Sequence, residues 1–272
     1  MNKKSYIIVY TSLLAVIALL YRHTFIWLYQ RYISADSYYS HGFIIPLISV
    51  YLIWLKRDEI KKMNSEYSFW GLILILCSLI IHFLGMVAGV FFVSGFSMFF
   101  LIIGLSFYMH GKKITLKILF PLVLLIFMFP LPLVAINGIS FPMKMVATKI
   151  GVLILKGVFN LNLRNEGFHI FFPHASLIIG NPCSGLRSLI TMMALGSVIA
   201  YLLKAPLHKR FLLFFLSVPV ALVSNIIRII MLSLAVYIYG GGMAKGIFHD
   251  LSGYFVFIIA FGAMLYLRKV LE

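Results

Sequence analysis

Acidic side chains are scarce in this chain: 7 Asp and Glu stand against 23 Lys and Arg in 272 residues. Charged residues of both signs reach only 11%, while 62% of the chain is hydrophobic and the mean hydropathy is +1.05. That balance excludes a soluble globular domain and marks a polytopic membrane protein. With only two cysteines, Cys77 and Cys183, a disulfide framework is excluded as well. Long polar stretches, internal repeats and low-complexity segments are missing too, so the chain reads as one integral membrane domain over 1–272. The first apolar run follows Asn2-Lys3-Lys4 and ends in Tyr21-Arg22-His23 without a small-residue cleavage site, which predicts a retained signal anchor.

What is present is a series of apolar runs, each about 20 residues long, the length that crosses a hydrocarbon core of ~30 Å. They predict an all-α polytopic fold of about eight transmembrane helices, near 5–27, 38–55, 68–88, 91–109, 115–135, 183–203, 211–235 and 249–267. Basic residues segregate into alternate connections: Lys3, Lys4, Lys56, Arg57, Lys61, Lys62, Lys112, Lys113, Lys117, Lys204, Lys209, Arg210, Arg268 and Lys269. By the positive-inside rule these face the cytoplasm, with both termini, and the other connections face outward from the cytoplasmic membrane. The same placement explains the net charge of +16 without nucleic acid as a partner.

The outer connection, about 137–182, is the longest and least apolar. Its 141–160 stretch carries Lys144, Lys149 and Lys156 and is expected to lie as a short helix in the outer interface, since a lone crossing there would invert every later loop. Two β-rich pieces, 168–172 and 176–179, predict a hairpin that delivers the chain to Asn181.

Three polar blocks interrupt the later spans. In Asn181-Pro182-Cys183-Ser184-Gly185-Leu186-Arg187, Asn181 is a favoured cap and Pro182 suits a first helical position. Cys183 is then expected in the first turn of the sixth span, where unpaired N–H groups and the helix dipole favour a thiolate. Ser184 and Gly185 keep the neighbourhood small, and Arg187 lies one turn on from the cysteine. Toward the outer part of the seventh span come Ser224, Asn225 and Arg228; a charge at that depth is costly unless it faces a polar cavity, and Asn225 is placed to hold the guanidinium. The eighth span opens with His249-Asp250-Leu251-Ser252-Gly253. Taken singly, the arginine reads as snorkelling to the headgroups, the histidine as interfacial and the cysteine as helix packing. Together they bring cysteine, arginine and histidine to one side and one depth of the membrane. Cys77, within an uninterrupted apolar run, reads as a small buried side chain.

Cys-Ser-Gly-Leu-Arg at 183–187, Asn-Ile-Ile-Arg at 225–228 and His-x-x-x-Gly at 249–253 resemble, in this order, the three signature blocks of the exosortase/archaeosortase family. Tyr39-Ser40-His41-Gly42-Phe43, with Pro46 and a basic exit at Lys56-Arg57, resembles that family's early span and adds His41 to the supporting residues. Histidine at 249, where archaeal relatives tend to carry arginine, points to the bacterial branch. The resemblance implies a membrane-embedded cysteine transpeptidase, without a cofactor or metal, acting on exported proteins whose C-terminal tail joins a short motif, a transmembrane helix and a basic cluster. In it Cys183 is the nucleophile, Arg228 the oxyanion partner and His249 the base and acid, with Arg187, Asn225, Ser184, Gly185 and His41 in support; catalytic spans occupy about 183–267. Membrane lipids surround the site, and the acceptor nucleophile is left open.

Other classes fit less well. A small-molecule transporter lacks paired discontinuous spans. An aspartyl membrane protease needs two acids at one depth, and of the aspartates only Asp36, in a loop, and Asp250 lie outward. His41, His169, His174 and His249 face outward without a His-Glu-x-x-His helix for a metal hydrolase. A non-catalytic envelope-assembly subunit would leave Cys183 replaceable.

Overall fold

The first apolar run, expected to cross as one helix from 5 to 27, is divided at Tyr21. In the computed structural model, which describes residues 3–34, 37–180, 185–244 and 247–272, α1 (Lys3–Leu20) and α2 (Arg22–Ile33) meet at 72°. Buried polar groups hold the break. Tyr21 is fully enclosed; its hydroxyl bonds Ser97 Oγ at 3.0 Å and its ring lies 4.0 Å from that of His82. His82 Nδ1 bonds Ser94 Oγ at 2.8 Å, Ser94 bonds Thr24, and His82 also bonds the Leu20 backbone at the end of α1. A polar backbone group released by a bend in an apolar medium needs such a partner.

Residues 1–131 and 132–272 form two compact units. The first continues through α3 (Ile44–Leu55), α4 (Arg57–Ile60), α5 (Phe69–Val87), α6 (Phe91–Lys117) and α7 (Leu119–Leu124). Small residues let α5 and α6 approach closely: a side chain at Gly104 would press on Ile75. Gly111 interrupts α6 with φ +78°, a left-handed conformation that glycine adopts without strain, and redirects its last turn. Cys77 is exposed on α5 rather than buried by protein, so its apolar surroundings are those of the membrane.

The second unit comprises α8 (Leu133–Gly157), a small sheet, α9 (Leu186–Leu202), α10 (Leu207–Tyr239) and α11 (Ile247–Leu271). In place of a short interfacial helix at 141–160, α8 is continuous for 25 residues and is long and apolar enough to cross a membrane. Ile136, Ser140, Ala147, Gly151 and Leu155 form its buried stripe, while Lys149 and Lys156 remain exposed. The expected hairpin is a three-stranded antiparallel sheet: β1 (Arg164–Glu166), β2 (His169–Phe171) and β3 (Ser176–Ile178), in that order. The extra strand holds the polar residues just before the expected hairpin, with Arg164 and Glu166 paired at 2.5 Å. Ile170, Phe172, Leu177 and Ile179 from the sheet region form one core with Val152 and Leu155 of α8 and Ile229, Leu232 and Val236 of α10.

Each of the eight expected stretches carries a helix, but the count of eight full spans does not follow. Among the described residues five helices are long and apolar enough to cross, or six with the bent α1–α2 pair. The stretches at 38–55, 115–135 and 183–203 hold shorter apolar helices, 40–55, 119–128 and 186–202. Proline explains the second: Pro130 and Pro132 come next, and Phe129 is already extended at φ −88°, ψ 119°.

Candidate active site

The sixth expected span starts later than its sequence implies. Gly185 caps α9 with φ +80° and ψ −8°, and the first residue of the described helix is Leu186. The reason is contact with α10: a Cβ on Gly185 would stand 2.8 Å from Asn225 Nδ2 and 2.9 Å from Cγ. Only glycine meets both demands, a left-handed backbone and a side chain pressed on its Cα. Asn225 itself is buried. Beyond the cap the first turn closes normally, with Leu189 N–H and Ser188 Oγ both donating to the Gly185 carbonyl at 2.8 and 2.9 Å. Asn181, Pro182, Cys183 and Ser184 lie outside the described residues.

Arg228 is one turn beyond Asn225 on α10. Its guanidinium lies against Gly253 of α11, where a Cβ would stand 3.2 Å from Nη2 and 3.4 Å from Cζ. Residue 249 belongs to the first turn of α11, one turn before Gly253, and Ser252 beside that glycine is buried. Thus α10 connects the two other blocks, through Asn225 to the 183–187 stretch and through Arg228 to the 249–253 stretch. The helices agree: α10 packs along α9 and α11, and α11 also packs on α9.

Depth can be read along the helices. At 1.5 Å per residue, Arg228 lies about 27 Å from Arg210 on α10, and residue 249 about 28 Å from Arg268 on α11. Both therefore sit one hydrocarbon thickness from the basic end of their own helix. Arg187 occupies the first turn of α9, where a cation opposes the helix dipole, and it is only half exposed.

His41 is placed in the first unit, on a 3-10 turn at Ser40–Phe43, with its ring stacked 5.8 Å from Tyr39. Two contributors carry little signal in the sequence. Gly253 seats the Arg228 guanidinium, a role visible only as its four-residue spacing from His249; buried Ser252 has no signal of its own.

Neither a curated protein nor a solved structure matches the chain. The sequence model of the transmembrane exosortases matches it over residues 29–266, which include all three polar blocks and the whole of α10, and the chain belongs to that family.

Proposed function

We propose that this protein cleaves the C-terminal sorting tail of exported proteins at the outer face of the cytoplasmic membrane, through a thioester on Cys183, and transfers them to an acceptor. The observation that carries this reading is the meeting of the three blocks on α10: Asn225 against Gly185, two residues from Cys183, and Arg228 against Gly253, one turn from His249. Family membership supports a membrane peptidase or transpeptidase chemistry.

In the proposed cycle the Cys183 thiolate attacks the scissile carbonyl carbon, and the carbonyl oxygen becomes an oxyanion beside Arg228. Collapse of that adduct breaks the C–N bond, and His249 gives its proton to the departing amine. The new amino terminus leaves with the tail helix; the exported domain stays on sulfur as a thioester. A second nucleophile then attacks the thioester carbonyl, returning its proton to His249 and the thiolate to Cys183. A substrate tail with its basic end in the cytoplasm would present its motif about one bilayer thickness away, at the depth of Arg228.

The test is processing of a tailed substrate in cells by Cys183→Ala and Cys183→Ser variants, with membrane levels of the protein matched. Both should abolish cleavage. With acceptor withheld from the purified wild type, a hydroxylamine-labile adduct between Cys183 and the truncated substrate should accumulate. Cleavage by Cys183→Ala at the wild-type rate would refute the proposal.

A further inference from the structure

Within the first unit, α1, α3, α6 and α7 leave a cavity of about 370 Å³ that the proposed chemistry does not use. Its walls are apolar, formed by side chains such as Leu13, Ile17, Ile102, Leu105, Ile118 and Leu122. One polar pair breaks this lining: Tyr10 Oη and His110 Nε2, hydrogen-bonded at 3.1 Å. Ser106 also lines it and is tied by its hydroxyl to Thr115 at 2.9 Å, across the redirected turn after Gly111.

The mouth is basic. Lining residues Ile53 and Ile60 bracket Lys56 and Arg57, and Lys61 is next in the chain; lining residues Ile114 and Ile118 adjoin Lys113 and Lys117. Lys56 Nζ donates to the Lys117 carbonyl at 2.9 Å, which joins the two basic segments. Across 56–66 and 112–117 there are seven Lys and Arg against Asp58, Glu59 and Glu66, an excess of four positive charges. Arg57 lies 4.1 Å over the Trp54 ring, an aromatic–cation pair of the kind that anchors at headgroup level.

We propose that this cavity holds the acyl chain of one anionic membrane phospholipid, with its phosphate at the basic mouth and its ester linkage near Tyr10 and His110. The apolar lining along α1 from Tyr10 to Ile17, about 10 Å, suits the length of an acyl chain. Charge decides against the basic tail of a sorted protein, which the mouth repels, and gives a zwitterionic lipid no preference. Basic pockets between membrane helices are suited to anionic headgroups. Lipid binding here does not depend on the proposed reaction.

The full-length protein, stripped of lipid in detergent, is to be titrated with dioleoylphosphatidylglycerol and separately with dioleoylphosphatidylcholine, monitoring Tm and counting bound lipid by native mass spectrometry. One saturable phosphatidylglycerol should bind at least tenfold more tightly than phosphatidylcholine and raise Tm. Lys56→Gln with Lys113→Gln should weaken phosphatidylglycerol about tenfold or more and leave phosphatidylcholine unchanged. Leu105→Trp should remove the saturable binding; if it fails to fold, Ile102→Phe replaces it. Equal affinity for the two lipids, saturable binding that survives a folded cavity-filling variant, or a second protein copy displaced on lipid addition would overturn the proposal.

Discussion

Gly185 and Asn225 offer the most direct test of how the site is built, because two separable costs meet at one position. A methyl group at 185 must adopt φ +80°, which costs an L-residue about 1–2 kcal/mol. It must also stand 2.8 Å from the Asn225 amide, several tenths of an ångström inside ordinary contact, and forcing such a contact typically costs about 1–3 kcal/mol. Gly185→Ala should therefore destabilise the protein by about 2–5 kcal/mol. Asn225→Ala removes Cγ and Nδ2 and leaves Cβ 3.2 Å away, so in the double variant the overlap is largely relieved while the backbone strain remains. A double-mutant cycle, with each ΔΔG measured by reversible unfolding of purified protein in mixed micelles, should yield a favourable coupling of about 1–3 kcal/mol. Additive effects within about 0.5 kcal/mol would show that Asn225 does not lie against Gly185. A harmless Gly185→Ala would refute the left-handed cap.

The same geometry sets further expectations. Arg228→Lys should retain little processing activity, because an ammonium cannot reproduce the planar donors laid against Gly253, while Arg187→Ala should be milder; tolerance of the first with loss of the second would reverse their roles. Single cysteines at Ser37, His174 and Gly241, in a background lacking Cys77 and Cys183, should react with an impermeant reagent from outside, and those at Ser65 and Pro206 should not. If α8 is a lone crossing that inverts every later loop, His174 and Gly241 become protected and Pro206 reactive. The exposed Glu59 carboxyl is held below its usual range, first by the hydrogen bond from Lys117 and then by its charge. Its contribution to stability is therefore present above the ordinary carboxylate range and lost as pH falls through the lowered value; a Tm profile between about pH 6 and 3 should flatten in Glu59→Gln.

Hydropathy located a helix in every expected apolar stretch, because a run of apolar residues has few other stable forms in a membrane. It did not give helix limits where side chains decide them. The break at Tyr21 has no proline or glycine to announce it; it depends on Ser94, Ser97 and His82, far away in sequence. In α8 the interfacial expectation rested on the later loops, which a lone crossing would invert, and did not foresee one 25-residue helix whose Lys149 and Lys156 are exposed away from the buried stripe and whose Lys144 lies 4.0 Å over the Phe168 ring. β1 was hidden because Arg164-Asn165-Glu166 is short and polar and carries no strand signal of its own; its pairing partners are on β2. The three polar blocks were visible from residue type and spacing, and Gly185 and Gly253 of the outer two lie against Asn225 and Arg228 of α10. The cap at Gly185 was not, since Asn181-Pro182 carries the stronger cap signal and the left-handed turn answers to Asn225 instead.

Length gives α10 a role that no single motif reveals. Its 33 residues extend about 50 Å, against a hydrocarbon core of ~30 Å. The first 27 Å or so, from Arg210 to Arg228, suffices to cross; the remainder of the helix carries Ile229, Leu232 and Val236, the residues that support the sheet. A sheet of three-residue strands cannot persist alone, and this surplus of α10 together with α8 supplies its missing face. From β3 the chain needs only a few residues to reach Gly185, which is itself seated on Asn225 of the same helix. One helix thus fixes the approach to Cys183 at both ends of the 179–185 segment, and it holds Arg228 between them at the depth where apolar packing gives way to the sheet. A cation is tolerated there because its burial is shared between Gly253 and that boundary, rather than falling at the centre of the membrane, where its cost is greatest.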